Sequence, residues 1–186
     1  MVCTANHCRS PMGQQLLRHA AANRFGDGAW RVDSAGTNIP GPWPLHEHAA
    51  TVLAARLPRV DEHTSRPLSS PVIGRADLVL TASRRQRSIV VKAVPAAIGK
   101  TFTLRQFARL CDAVAPLQGT DGDARETGLR LVAEAKLARS GLQPVTGEQD
   151  DLPDPMGGSL ADFQGCADRL QDAIDRILRP VPRSAG

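Results

Sequence analysis

Cys3 and Arg9 enclose five residues, and Ser10 and Pro11 follow at once: the stretch from Val2 to Gly13 reads VCTANHCRSPMG. These residue types at this spacing suit covalent attack on a phosphoryl group. The nucleophile has to be a thiolate, whereas a free thiol is mostly protonated at neutral pH. A helix N-terminus supplies partial positive charge and free backbone N–H groups, which stabilise a thiolate and a phosphate alike. Thr4, Ala5, Asn6, His7 and Cys8 can turn successive N–H groups inward as an anion nest. Arg9 closes the ring with a planar fork whose donors match two phosphate oxygens. Ser10 can donate its hydroxyl to the Cys3 sulfur and help it leave later. The alternative is a buried cysteine with an incidental arginine downstream. A bare cysteine-to-arginine spacing is a weak signal, but Asn6, Cys8, Ser10 and Pro11 all stand where such a loop wants them.

Expelling an alkoxide or phenolate is slow unless a proton arrives with it, and the same carboxylate can then activate water. Asp154 lies between Pro153 and Pro155, which stiffen its loop, and is the candidate general acid. An exposed turn aspartate is the competing reading for a lone Asp-Pro. Its neighbours Asp150 and Asp151 read as solvated. No metal or cofactor is called for, since no C-x-x-C pair or His-Cys cluster has zinc-ligand spacing. Cys3, Cys8, Cys111 and Cys166 are too scattered for a disulfide framework.

The elements that must position these groups alternate. Ser10-Pro11 opens a helix, with Ser at the N-cap and Pro at the first helical position, and apolar residues recur through Met12, Leu16, Leu17, Ala20 and Ala21. Trp30 to Ala35 reads as a strand, Ile39 to Pro44 as a proline-rich loop, and Leu45 to Leu57 as a helix. Ala76 to Thr81 is a buried strand, Arg84 to Lys92 a helix, Ile98 to Phe102 a short strand, and Thr103 to Asp112 a helix. A turn over Gly119 to Asp123 and a helix from Arg125 to Arg139 follow. The last helix carries a stripe of Leu160, Phe163, Ala167, Leu170, Ile174 and Ile177. Cys111 and Cys166 fall on helices and read as core. Arg84-Arg85-Gln86-Arg87 reads as a solvated helix start. Strands alternating with helices give a single α/β domain with a parallel sheet covered on both faces. Only Met1 and Val2 precede Cys3, so either the first strand is severely shortened or residues upstream of Met1 are missing from this chain.

At 186 residues the chain fits one domain with a real core. Lys and Arg number 23 against 19 acids, a net charge of +4, and aromatics make up 3% with no Tyr. That is too mild and too poor in stacking rings for coating a nucleic acid, and it suits an anionic substrate better. The apolar runs are too short to span a membrane. Without a basic-then-apolar leader the default location is the cytoplasm.

The loop VCTANHCRSPMG resembles the active-site loop of the low-molecular-weight protein tyrosine phosphatases. Asp33-Ser34-Ala35-Gly36-Thr37 resembles that family's second-strand signature, Ala76 to Thr81 its third strand, and Asp151 to Ser159 its acid loop, particularly the bacterial version. The poorly matched part, residues 112–150, reads like a lineage-specific insertion within a domain of residues 1–179, and 180–186 as a loose tail. The resemblance implies a four-stranded parallel sheet flanked by helices on both faces. It carries the nucleophile onto Cys3, phosphate binding onto Arg9 and the loop Thr4 to Ser10, a strained left-handed turn onto Asn6, and the general acid onto Asp154. It also implies a phosphorylated protein substrate, with bacterial tyrosine kinases of polysaccharide export as a family-level expectation.

Several positions depart from the pattern. Ala5 replaces a common Gly. His7 occupies the variable loop position facing substrate, where relatives carry Thr with phosphoarginine specificity or an apolar residue with phosphotyrosine specificity. A tyrosine pair after the acid is replaced by Met156-Gly157, and Trp43 can supply the opposite wall, so His7, Trp43 and Met156 form the candidate substrate rim. Cys8 is placed to form a reversible disulfide with Cys3, or else to be a small packed thiol. Competing functions are a thiol-dependent arsenate reductase, which lacks a further cysteine pair here, a protein arginine phosphatase, and a catalytically weak anion-binding pseudophosphatase.

Overall fold

Alternate residues of each short strand point to opposite faces of one sheet and meet two separate apolar layers. In the computed structural model, which describes residues 1–118, 123–141, 143, 145 and 147–182, the strands are β1 (Val2–Cys3), β2 (Ala35–Gly36), β3 (Val79–Thr81) and β4 (Thr101–Thr103). They are parallel in the order β2–β1–β3–β4. Val2 pairs with both Ala35 and Thr81, Cys3 pairs with Gly36, and β3 pairs with β4 from Val79–Thr101 to Thr81–Thr103. Val2 and Val79 face a small layer with Ile73, Val90 and Ala97. Cys3, Leu80 and Phe102 face the larger core.

Parallel neighbours require crossovers, and helices supply them. α1 (Arg9–Phe25) follows β1; α2 (Glu47–Ala54) and α3 (Ser70–Arg75) lie between β2 and β3; α4 (Arg84–Ala93) joins β3 to β4. α5 (Leu104–Asp112), α6 (Ala124–Ala138), the single turn α7 (Gly147–Asp150) and α8 (Leu160–Leu178) complete the chain. α8 packs on α1, α2 and α5 through Phe163, Ala167, Leu170, Ile174 and Ile177, the expected stripe. Ser159 and Asp162 close a capping box at its start. No helix among the described residues is long and apolar enough to cross a membrane.

The expected fold class stands, with four parallel strands and flanking helices, and its differences are local. β1 is two residues long, yet both its edges are used: the Ala35 N–H donates to Met1 O at 3.0 Å and the Ala82 N–H to Val2 O at 2.8 Å. The run from Trp30 yields only Ala35–Gly36 as strand, because β2 pairs with this short β1 and, on its other edge, only through a single parallel bridge from Gly36 to Pro67. Residues 95–100 form a 3-10 turn, so β4 starts at Thr101 instead of Ile98. α3, within a stretch with no periodic signal, was not expected. α1 starts at Arg9 with Cys8 at the N-cap, not at Pro11 with Ser10 as cap. The reason is that the Ser10 hydroxyl is committed to the site and Pro11 still falls in the first turn, where a missing N–H is harmless.

Between α5 and α7, Leu131 and Ala135 of α6 enter the main core, and Trp30 Nε1 donates to Ala124 O at 2.7 Å. The turn expected at Gly119 to Asp123 lies outside the described residues except for Asp123, whose carboxylate caps α6. Beyond α8, Val181 is buried and the Leu117 N–H donates to Pro180 O; residues 183–186 lie outside the described part.

Candidate active site

The chain leaves β1 at Cys3, turns through residues 4–8 and enters α1 at Arg9, so the loop sits at the carboxyl ends of the strands against a helix N-terminus. The turn depends on Asn6, which has φ 54° and is fully buried. Asn enters the left-handed region more readily than other side chains, and here its side-chain amide and its carbonyl are all engaged. Its Nδ2 donates to Ser10 Oγ and to Ser34 Oγ, both at 2.9 Å, and its Oδ1 accepts the Arg66 N–H at 2.9 Å. Its carbonyl lies 2.7 Å from His63 Nε2, which must therefore carry the proton.

This network leaves the Ser10 hydroxyl hydrogen available to Cys3. Because Ser10 Oγ accepts from Asn6, its own hydrogen is free to point at Cys3 Sγ, 3.0 Å away. Strand β2 closes in from the side. The Thr37 N–H donates to Cys3 O and the Asn38 N–H to Thr4 O, both at 3.0 Å. A Cβ on Gly36 would stand 2.6 Å from Thr4 O and 3.0 Å from the Ala5 carbonyl carbon, so only glycine allows the approach. On the opposite side Gln86 Nε2 donates to Thr4 Oγ1 at 3.0 Å.

Arg9 is 7% exposed. Its Nη1 donates to Leu152 O at 3.2 Å and its Nη2 pairs with the Asp154 carboxylate. The acid loop is docked by the Leu152 N–H on Ala82 O at 2.8 Å, directly beyond β3. The other Asp154 oxygen accepts the Met156 N–H at 3.3 Å. Cys3, Asn6, Arg9, Ser10 and Asp154 are thus brought into one constellation from the two ends of the chain.

Two surface readings need correction. Asp150 is not solvated: it is 4% exposed and its carboxylate bridges Arg84 and Arg109. Asp151 Oδ1 accepts the Arg84 N–H at 2.8 Å. In the Arg84–Arg87 segment Arg84 and Arg85 are exposed as expected, but Gln86 and Arg87 are committed inward: Gln86 holds Thr4, and Arg87 Nε donates to Thr101 O at 2.9 Å. A charge run in sequence carries no record of carboxylates and carbonyls that arrive from tens of residues away.

The rim brings His7 and Trp43 together, with ring centroids 5.1 Å apart at 60°. His7 Nδ1 lies 2.6 Å from Pro44 O, which assigns its proton to Nδ1. His46 lies on the other side of His7, 5.2 Å away, and stacks on Phe163 at 4.5 Å. Burial, then the neighbouring His7 and His48, hold His46 below the usual histidine range. Trp43 is 37% and Met156 46% exposed. The buried Cys8 thiol donates to Met156 Sδ at 3.0 Å, and burial, with Cys3 and Asp154 nearby, pushes it up to about 12. Cys8 and Cys3 are both free thiols. Cys111 and Cys166 are buried as expected. Cys166 also lines an open groove of about 630 Å³ between the acid loop and α8, with Asp154, Met156, Asp162 and Arg169.

Sequence reading missed Ser34, His63, Arg66, Gln86 and the reason for Gly36. Their partners lie 28 to 82 residues away, and no spacing rule encodes such contacts. Only the Asp33–Thr37 motif offered a signal for Ser34 and Gly36.

A glycine-lean cysteine loop ending in arginine at a helix N-terminus, on a four-stranded parallel sheet, defines a class of phosphoryl-handling enzymes. The chain belongs to the low molecular weight phosphotyrosine protein phosphatases, whose family profile matches residues 1–127. A protein-arginine-phosphatase of Geobacillus stearothermophilus is 30% identical over 180 residues, covering 97% of this chain and 93% of that protein. A probable low molecular weight protein-tyrosine-phosphatase EpsP of Ralstonia nicotianae is 33% identical over 107 residues, covering 58% and 70%. The solved structure of the YwlE arginine phosphatase from Geobacillus stearothermophilus superimposes with a TM-score of 0.66 at 27% identity, covering 96% of this chain and 88% of the other. The expected family and enzyme class are borne out.

Proposed function

We propose that the chain hydrolyses phosphotyrosine on proteins through a cysteinyl-phosphate intermediate, with Cys3, Arg9 and Asp154 as the catalytic residues. The observation that carries this reading is the contact of Cys3 Sγ with Ser10 Oγ at 3.0 Å, in a loop whose Arg9 is paired with Asp154. In the first step the Cys3 thiolate attacks phosphorus in line, the S–P bond forms and the P–O bond breaks. Asp154 gives its proton to the leaving oxygen, while Arg9 and the N–H groups from Thr4 to Ser10 hold the equatorial oxygens. In the second step water attacks the same phosphorus, Asp154 takes its proton, and the Cys3 thiolate leaves with a hydrogen bond from Ser10. Trp43, His7 and Met156 form the rim on which a phenyl ring would lie.

The substrate partner we infer is a phosphorylated bacterial protein, with a tyrosine kinase of polysaccharide export as the family-level candidate. A second reading has its own support: of the relatives that align over nearly the whole chain, two are named protein-arginine-phosphatase and one low molecular weight protein-tyrosine-phosphatase. The test is hydrolysis of para-nitrophenyl phosphate without added metal by wild type, Cys3→Ser and Asp154→Asn, followed by phosphotyrosine and phosphoarginine peptides. Loss of activity in Cys3→Ser and a steep fall in Asp154→Asn support the mechanism. A folded wild type without activity overturns it.

A further inference from the structure

Asp150 is four residues ahead of the proposed acid and takes no part in the chemistry, yet it is among the most heavily engaged side chains in the protein. Its Oδ2 accepts Arg84 Nε at 2.8 Å and lies 2.6 Å from Arg84 Nη2, while its Oδ1 lies 2.5 Å from Arg109 Nη2. The same arginines, with Arg105, gather the backbone around it. Arg84 Nη2 donates to Val145 O at 2.5 Å, and Arg109 Nη1 to Gln149 O at 3.4 Å. Arg105 Nη1 donates to Glu148 O at 2.9 Å and to Asp151 O at 3.1 Å. Arg84 opens α4 directly behind β3, and Arg105 and Arg109 lie on α5 directly behind β4. The brace therefore ties the segment before the acid loop to the two helices that leave the sheet beside the nucleophile loop.

Stability alone is a poor reason for such an arrangement. A buried ion pair recovers little more than its desolvation cost, and apolar packing of similar volume does as well. What charged, multiply hydrogen-bonded groups supply is a unique geometry. From Asp150 the chain runs to Leu152, pinned between Ala82 O and Arg9, and then through the stiff Pro153 to Asp154. Gln86, two residues into the helix that Arg84 opens, holds Thr4 next to the nucleophile. One helix start thus sets the spacing between the thiol loop and the acid loop.

We propose that Asp150, through Arg84 and Arg109, is a positioning residue for Asp154: it sets where the acid stands over the leaving oxygen, without touching phosphate binding or attack by sulfur. The proposal rests on the phosphatase mechanism above. Its readout is leaving-group dependence, because a misplaced acid slows only those substrates whose leaving oxygen needs a proton. The measurement is kcat/KM, which reports formation of the cysteinyl phosphate, for phenyl phosphate and for 2,4-dinitrophenyl phosphate. Asp150→Asn is expected to lose roughly ten- to hundredfold on phenyl phosphate and less than about threefold on the dinitrophenyl ester, with inhibition by inorganic phosphate not weakened. Arg109→Gln, which removes the other half of the brace, is expected to give the same pattern and keeps the test open if Asp150→Asn does not fold. Equal losses on both esters, or no loss on either, overturn the proposal. Asp154→Asn, measured alongside, separates the two claims: if it lacks the leaving-group pattern the acid assignment falls, and if it has the pattern while the brace variants do not, only the role of Asp150 falls.

Discussion

Arg9 and Asp154 stand 145 residues apart in sequence and are ion-paired in the fold, the guanidinium buried and the carboxylate half exposed. The pair joins the group that would hold phosphate to the group that would protonate the leaving oxygen. A phosphate entering the loop must therefore take donors that Asp154 now occupies.

Phosphate and Asp154 compete for Arg9, so removing the carboxylate charge strengthens anion binding while it damages turnover. A partly exposed pair is worth up to about 1 kcal/mol, or about fivefold in affinity. Asp154→Asn is expected to lower the inhibition constant for inorganic phosphate by about that factor, while kcat/KM on phenyl phosphate falls by about a hundredfold or more. An unchanged inhibition constant contradicts the competition.

Asn6 serves the loop in two ways, which substitution can separate. Asn6→Gly keeps access to the left-handed φ but loses the bonds to Ser10, Ser34 and the Arg66 N–H. Asn6→Ala loses these and adds roughly 1–2 kcal/mol of backbone strain. Thermal melts and kcat/KM should both rank wild type above Asn6→Gly and Asn6→Ala last. An alanine variant as good as the glycine one contradicts the strained turn.

The outline of this site was readable because its chemistry is local. Cys3, Asn6, Arg9 and Ser10 fall within eight consecutive residues, and Asp154 is marked by flanking prolines. The alternating elements were readable from apolar runs for the same reason. What sequence could not carry is the cross-chain wiring. His63 on Asn6 O, Gln86 on Thr4, and Asp150 between Arg84 and Arg109 depend on how helices land on the sheet. Asp150, Gln86 and Arg87 read as solvent-facing because nothing in their own neighbourhood says otherwise. Strand ends failed likewise, since a strand is only as long as its neighbour.

Burial sets the pH limits of stability. Cys8 and Cys111 are each pushed up to about 12, and Cys166 to about 11, in each case chiefly by burial. The unfolded chain releases these protons near the ordinary thiol value of 9.0 while the folded chain keeps them, so stability falls as pH rises from about 9. His63 is held below its ordinary 6.5, again chiefly by burial. The unfolded chain therefore takes up that proton first, and stability also falls as pH drops below about 6.5. Urea melts across pH should show stability lost above about pH 9 and below about pH 6.5, and rising stability above about pH 9 contradicts the assignment. Iodoacetamide at neutral pH should correspondingly leave Cys8, Cys111 and Cys166 unlabelled in the folded protein.

The rim makes a prediction about substrate. If a phenyl ring lies against Trp43 and His7, Trp43→Ala should raise KM for a phosphotyrosine peptide about three- to tenfold, the worth of one aromatic contact, with kcat held. A phosphoarginine peptide should be much less affected. Equal effects on both peptides, or better turnover of phosphoarginine by wild type, favour the arginine phosphatase reading.

The central claim is that phosphate passes through the Cys3 sulfur. Rapid acid quench of wild type turning over para-nitrophenyl phosphate, followed by intact-mass and peptide mass measurement, tests it directly. One phosphoryl group on the peptide containing Cys3, absent from Cys3→Ser and longer-lived in Asp154→Asn, is the expected result. Steady turnover by wild type with no phosphoryl group on Cys3 at any quench time, or undiminished turnover by Cys3→Ser, contradicts it.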